Sequence, residues 1–353
     1  MRTDGRIDGY MRILAVTNLY PTSGAPSSGV FIEQQIKSLR QIGLEVDVFF
    51  IDRHRLGMRV YFFLASHLLL KISKFKPDLI HVMYGGIMAE RITHHIKNIP
   101  VVVTFHGSDL LGEKLSGPVR QMIAGLGVRC SGRAAKRARG IIVVSRVLLA
   151  ALPREIDQSK VKVIPCGIDL DRFKPLDKNI CRARLGWDAN RFHVLFSGSR
   201  DPVKRPGLAR AAAENLCRCG INAEIHYLRD ISNAEVGAWL NASDVALLTS
   251  LHEGSPTIIK EALACNLPVV SVDVGDVAER LQGIEGCYIA LPEPGDIATK
   301  LSWVYSGRRR VEGRVSVRAL SLECIARQLK ETYEAILGWP ADTTRSQELV
   351  QSS

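Results

Sequence analysis

The chain has 353 residues, of which 46% are hydrophobic, and its formal net charge is +11. That length suits one or two domains, and the apolar share supplies a real core, which excludes a disordered or low-complexity protein. The charge favours anionic partners (nucleotide phosphates, anionic lipid or nucleic acid) without choosing among them. The eight cysteines form no CxxC pair and no zinc spacing. They read as reduced structural thiols of a cytoplasmic protein. Residues 1–10 are polar and carry no apolar h-region, and no run reaches the length needed to span a bilayer.

Met11–Thr17 predicts a buried strand. A turn-rich loop, Asn18–Gly29, leads to Phe31–Ile42, which carries Ile32, Ile36 and Leu39 on one helical face. Val46–Ile51 reads as the next strand, and this strand–helix–strand opening argues for a parallel sheet. A glycine loop before a helix is a phosphate site in principle, although no full GxGxxG is present. The segment Arg53–Lys76 joins an apolar run, Val60–Leu70, to basic flanks. It reads first as a helix buried against the sheet and second as a patch for an anionic membrane surface. Asp78–Met83 and Val101–Phe105 are further strands, the second ending in His106-Gly107-Ser108-Asp109. A histidine at a strand end is commonly a structural hydrogen bonder, yet ligands bind outside the carboxyl ends of parallel strands. Asp109 suits a cap for the following helix better than an orienter of His106. Gly112–Gly140 is basic and helical, with its charges read as a solvated face. Ile141–Ser145 and Val161–Ile164 complete the first set of strands.

Pro165-Cys166-Gly167-Ile168-Asp169 then punctuates the chain, with Phe173 placed to pin the linker down. The second half repeats the alternation of strands and helices. Val194–Ser197 is a strand, followed by a turn holding Arg200, Lys204 and Arg205. Leu208–Cys217 is a helix, Ala223–Leu228 a strand, and Asn233–Asn241 a helix with Trp239 buried. Asp244–Thr249 is a short strand ahead of the loop Leu251–Gly254. Ser255 stands where an N-cap belongs and Pro256 at the first helical position. Ile258, Ile259, Ala262 and Leu263 share a face, and Glu253 and Glu261 point away from it. Two carboxylates thus flank a helix start whose free N–H groups favour an anion. Carboxylates suit hydroxyl-rich ligands, and a sugar nucleotide offers both hydroxyls and phosphates. Taken alone, an amphipathic helix with solvated glutamates is the simpler reading. Val269–Val272, the short helix Asp276–Leu281, the edge strand Cys287–Ala290 and the helices Asp296–Ser306 and Leu320–Leu337 follow.

The run E-G-S-P-x-x-x-x-E-A from Glu253 to Ala262, after an apolar strand and before PVV, resembles the EX7E motif of family 4 retaining glycosyltransferases. TFHGSD at 104–109 resembles that family's acceptor-side histidine segment, and Pro165–Pro175 resembles its PNGVDxxxFxP hinge. Cys166 replaces the usual asparagine, a departure with no evident chemical consequence. The resemblance covers the whole chain and points to the polysaccharide and teichuronic acid biosynthesis type. It implies an α/β protein of GT-B fold: two Rossmann-like domains with parallel sheets facing a central cleft. Residues 11–168 would form the acceptor-side domain and 169–325 the nucleotide-sugar-binding domain. Residues 326–340 would be a helix returning to the first domain, and 341–353 a disordered tail.

The implied reaction moves a sugar, with retention, from a nucleoside diphosphate sugar to a glycan or lipid-linked acceptor of the cell envelope or an exopolysaccharide. Glu253 would contact the donor sugar and Glu261 the ribose. Gly254, Ser255, Pro256, Thr257 and Ile258 would lie along the donor. Gly29 would permit close approach to the diphosphate, and His106 would be the active-site residue of the first domain. Lys204 would be the diphosphate cation. Arg200, displaced by one from the family's arginine, and Arg205 would be further donor-binding cations. No cofactor and no obligatory metal is expected, and nucleic acid is not an expected partner. The expected location is the cytoplasm, with peripheral attachment to the anionic inner face of the cell membrane. The alternatives are a GT-B epimerase and a non-catalytic protein that binds sugar nucleotides.

Overall fold

A computed structural model describes residues 10–61, 63–112, 117–198, 202–229, 231–307 and 309–339. The strands of the first half are β1 (Arg12–Thr17), β2 (Glu45–Phe50), β3 (Leu79–Val82), β4 (Val101–Phe105), β5 (Gly140–Val143) and β6 (Val161–Val163). Those of the second half are β7 (Phe192–Ser197), β8 (Ala223–Leu228), β9 (Val245–Leu248), β10 (Val269–Val272) and β11 (Tyr288–Ala290). They form two sheets, in the orders β2-β1-β3-β4-β5-β6 and β11-β10-β9-β7-β8. Every pairing between them is parallel. The central strands β3, β4, β5, β9 and β10 are buried at every position. Helices cover both faces of such a sheet, which is why these strands read as unbroken apolar runs rather than alternating ones.

The hinge is held from three sides. Phe173 is 2% exposed, and burying such a ring stabilises by about 1.5–3 kcal/mol. Arg314 donates to the carbonyls of Leu170 and Phe173. The Ile168 N–H donates to the Leu320 carbonyl, and the Leu322 N–H donates to the Ile168 carbonyl. The last bond anchors the start of helix Leu322–Leu337, which the Ser321 side chain caps. This helix packs against Val30–Gln41 of the first half, as the resemblance implies. Its buried Tyr333 hydroxyl lies 2.7 Å from Nδ1 of His81 on β3.

Several local expectations change. Arg53–Lys76 is not one helix but a short helix Arg53–Leu56, a tight turn Gly57–Tyr61 and a helix Leu64–Phe75. Leu64, Leu68 and Phe75 are buried, whereas Phe63, Leu69 and Leu70 are 65%, 54% and 60% exposed. An apolar run longer than one face of a helix cannot all turn inward. The basic helix Pro118–Arg137 likewise buries Cys130, Ser131, Ala134 and Ala135 while exposing Met122, Ile123 and Leu126. Trp239 is half-buried rather than buried, its ring meeting Trp187 edge-on. Among the described residues no helix is long and apolar enough to cross a membrane. The tail 341–353 lies outside the described residues.

Candidate active site

The site forms where the carboxyl end of β9 meets the loop and helix that follow it. Glu253 Oε1 accepts from Ser250 Oγ at 2.7 Å and from Lys204 Nζ at 2.5 Å. Lys204 ends the tight turn Pro202–Lys204. The turn is fixed to β9 because Thr249 Oγ1 donates to the Lys204 carbonyl and the Leu251 N–H donates to the Val203 carbonyl. Gly198, at φ 111°, leaves room for the lysine stem: a Cβ there would stand 2.4 Å from Lys204 Cγ. Arg205 behaves differently from expectation. Its guanidinium donates to the carbonyls of Thr249 and Ser250, so it braces the end of β9. Arg200 lies outside the described residues.

The helix runs over Thr257–Ala264 with Pro256 in the capping position, one residue later than the sequence suggests. No side chain caps it. Ser255 instead donates to Asp276 Oδ2 at 2.8 Å and accepts from Lys260 Nζ at 3.1 Å. The first N–H groups of the helix are therefore left to an anion. Lys260 is a residue the sequence reading missed. It is fully buried, and its Nζ also donates to the carbonyl of Cys166 in the hinge at 2.9 Å. Burial depresses its pKa while the Asp276 carboxylate opposes that. The available signal was a charge inside the apolar run TIIKEALA. Glu261 is no freely solvated carboxylate: burial pushes its pKa up to about 7, against the pull of Lys260 and Arg172.

Opposite this helix lies the turn after β4. His106 Nε2 is 3.0 Å from the Met83 carbonyl oxygen, which only accepts, so Nε2 carries the proton. Nδ1 is then the acceptor, and the Cys166 thiol sits 3.6 Å from it. Cys166 therefore has a consequence that its sequence position did not reveal. The ring stacks on Tyr84 and meets Phe31 at 5.0 Å. Burial pulls its pKa down to about 4, with the Met83 carbonyl opposing, so it is neutral at physiological pH. Asp109 corrects a second expectation. It is not a cap preceding a helix but lies within the short helix Ser108–Leu111, whose cap position is Gly107. Its carboxylate accepts the N–H groups of His106, Gly107 and Gly85, and burial raises its pKa to about 6.

The two halves touch here, backbone to backbone. A Cβ on Gly254 would stand 1.9 Å from the His106 carbonyl oxygen, and one on Gly107 would stand 3.0 Å from the Gly254 nitrogen. At Gly29 the φ is 67° and a Cβ would meet Leu19 main chain at 2.4 Å. That glycine is required for the loop to close on the start of helix Val30–Gln41. A cavity of about 360 Å³ opens beside Tyr84 and Ser108, with Leu19, Tyr61, Ile123 and Val128 on its walls. A larger cavity, about 970 Å³, lies at the far end of the first sheet among Lys97, Lys136, Arg139 and Lys162, and none of His106, Lys204, Glu253 and Glu261 lines it. Among the described residues one group has metal-ligand geometry, His193 with Glu224 and His226. It belongs to the opposite ends of β7 and β8.

Two family models match successive stretches of the chain. Residues 26–172 match the model of "Glycosyltransferase Family 4", and residues 178–306 that of "Glycosyl transferases group 1". A D-inositol 3-phosphate glycosyltransferase of Catenulispora acidiphila is 28% identical over 44% of this chain and 44% of its own length. The chain thus spans less than half of that relative. A Bacillus subtilis protein named as teichuronic acid biosynthesis glycosyltransferase TuaC is 27% identical over 76% of this chain and 82% of its own. Among solved structures, sucrose-phosphate synthase of Thermosynechococcus elongatus superposes with a TM-score of 0.74 at 18% identity, covering 93% of this chain and 99% of that one. HepE of Anabaena, in complex with UDP and glucose, gives a TM-score of 0.66 at 18% identity over 92% of this chain and 100% of that one. These likenesses show the GT-B fold.

Proposed function

The chain belongs to the family 4 glycosyltransferases, and from that premise we propose that it transfers a sugar from a nucleoside diphosphate sugar with retention at the anomeric carbon. The observation that carries this reading is the Lys204–Glu253 pair beside the uncapped helix start at Thr257. It places a cation, a carboxylate and free N–H groups together, facing the His106 turn. A nucleoside diphosphate sugar needs all of these at once.

In this reading the donor lies mainly on the second half. Glu261 accepts a ribose hydroxyl, Glu253 accepts hydroxyls of the sugar, and the backbone from Gly254 to Ile258 runs along it. The acceptor hydroxyl attacks the anomeric carbon from the side on which the C–O bond to phosphate breaks. Its proton passes to the departing phosphate oxygen, and the nucleoside diphosphate leaves. Developing charge on that group is met by Lys204 and the helix N-terminus, where fixed positive ends are worth most. His106 is neutral and has both ring nitrogens engaged. It shapes the wall of the site and presents its backbone, and it moves no proton. No covalent intermediate and no obligatory metal is invoked.

The acceptor is a glycan or a lipid-linked glycan of the cell envelope. The 360 Å³ cavity supports the lipid-linked form through its apolar wall of Leu19, Tyr61, Ile123 and Val128. The exposed Phe63, Leu69, Leu70, Met122, Ile123 and Leu126 support attachment to a membrane surface. The test is proton NMR of the product made from an α-linked donor and a membrane extract. An α-linked product supports retention. A β-linked product ends the retaining mechanism, and interconversion of free donor epimers would favour the epimerase.

A further inference from the structure

We propose that His193, Glu224 and His226 form a zinc site that clamps the edge strand β8 to β7. The site is independent of the transfer reaction. In the parallel register His193 stands opposite Glu224, and His226 follows two residues along β8. Residues two apart on a strand share a face, so the three side chains rise together from one side of the sheet. One ligand atom from each lies within 4.8 Å of the others.

Both rings are preset. His193 Nε2 lies 2.7 Å from the Asp188 carbonyl oxygen, so that nitrogen carries the proton and Nδ1 presents its lone pair. A histidine that ligates a metal typically gives its other N–H to a carbonyl in this manner. The His226 ring lies flat on Trp187, at 3.5 Å between centroids and 8° between planes. Its Nε2 faces His193 Nδ1 at 2.7 Å. Glu224 Oε2 is engaged by Arg191, which leaves Oε1 for a ligand. A single N–H···N bond would explain the contact between the two rings. It uses the lone pair that the Asp188 carbonyl fixes on His193 Nδ1, and it leaves only the Glu224 carboxylate on the same face to be explained.

Two nitrogens and a carboxylate oxygen suit zinc, with water in the fourth place, whereas calcium and magnesium favour all-oxygen sites. Tetrahedral zinc at 2.0–2.1 Å sets its nitrogen ligands about 3.3 Å apart. The ring pair must therefore open by about 0.6 Å, a small rotation of the half-buried His226. His193 and Glu224 are the second residues of β7 and β8 and His226 is the fourth of β8, whereas Lys204 follows the carboxyl end of β7. The ion thus lies apart from the transfer site.

The test uses the full chain, stripped with chelator and dialysed against zinc. One zinc per chain is expected, with a rise in Tm. His226→Phe keeps the stack on Trp187 and should lose the ion and the Tm rise. Glu224→Gln, which loses the anionic ligand oxygen, should weaken zinc binding. Cobalt(II) in place of zinc should give the visible bands of a four-coordinate nitrogen and oxygen site. Substoichiometric zinc in the parent protein would overturn the proposal. So would full zinc in a folded His226→Phe protein, or a cobalt–thiolate charge-transfer band from the exposed Cys217 and Cys219. Should His226→Phe fail to fold, His193→Gln is read by the same criteria.

Discussion

Lys204 Nζ sits 2.5 Å from Glu253 Oε1, and both side chains are mostly shielded from solvent. The cation that would meet the leaving group is therefore already paired with the carboxylate that would meet the sugar. An incoming donor must insert between them or share them. Lys204→Ala is expected to lower kcat by roughly 10²–10³-fold, with a smaller change in KM, because leaving-group charge grows toward the transition state. Steady-state kinetics with saturating acceptor measures both. A rise in KM alone would make Lys204 a ground-state phosphate ligand. No change in either would shift the role to Arg200.

Glu261 couples stability to pH. Its carboxyl has a pKa of about 7 in the folded protein against 4.5 for the ordinary group. A raised folded value means that its contribution is full below about pH 4.5 and is lost as pH rises through about 7. Glu261→Gln should thus stabilise the empty protein at pH 8 by roughly 1–3 kcal/mol and leave it unchanged at pH 4.5. A ribose hydroxyl donates best to the ionised carboxylate, so affinity for the nucleoside diphosphate sugar should rise between pH 5.5 and 7.5. In Glu261→Gln that rise should flatten. Thermal melts and calorimetry across this range check both, and an unaltered pH slope in the variant contradicts the ribose role.

Gly254 admits no side chain. Its Cβ position lies 1.9 Å from the His106 carbonyl oxygen, a main-chain atom that no rotamer change can move. Gly254→Ala is expected to push the two halves apart at the cleft. Turnover should fall by more than about 10²-fold, since misplacement by an ångström costs that much. Circular dichroism should be unchanged because neither sheet is touched. Near-parental activity in the folded variant would show that the His106 turn and the Glu253 loop need not meet.

The outer faces of Leu64–Phe75 and Pro118–Arg137 predict attachment to anionic bilayers. Phe63, Leu69 and Leu70 are exposed beside Arg53 and Lys74. Each basic residue near such a surface contributes about 1 kcal/mol, and salt screens it. Sedimentation with anionic liposomes should recover the protein at low salt and release it at high salt. Replacing Arg53, Arg55, Lys71 and Lys74 together should abolish recovery. Equal recovery with neutral liposomes, or none at all, would remove the membrane from the account of the acceptor.

The alternation of strands and helices that builds the two parallel sheets was legible in the sequence. Unbroken apolar runs such as VVVTF and GIIV have one reading in a parallel sheet. The returning helix was legible only through the family resemblance. What the sequence hid was tertiary. Ser255 has the chemistry of an N-cap, but Asp276 and Lys260 claim its hydroxyl, so the cap geometry is lost. Asp109 looked like a cap, yet three N–H groups from two turns converge on it. Arg205 read as a ligand cation, and two carbonyls at the end of β9 hold it. The pairing of Cys166 with His106 spans 60 positions, and the His193–Glu224–His226 group depends on strand register. No local pattern carries either.

The most direct test of donor binding at the Glu253–Lys204 cleft is calorimetric titration with UDP-, GDP- and ADP-sugars. The parent protein, Glu261→Gln and Lys204→Ala are titrated side by side. Binding of one base class with a single site per chain is expected, weakened about tenfold or more when Glu261 loses its charge. Failure of every nucleotide sugar to bind the folded parent protein, or equal binding by all three proteins, would contradict a donor site at this helix.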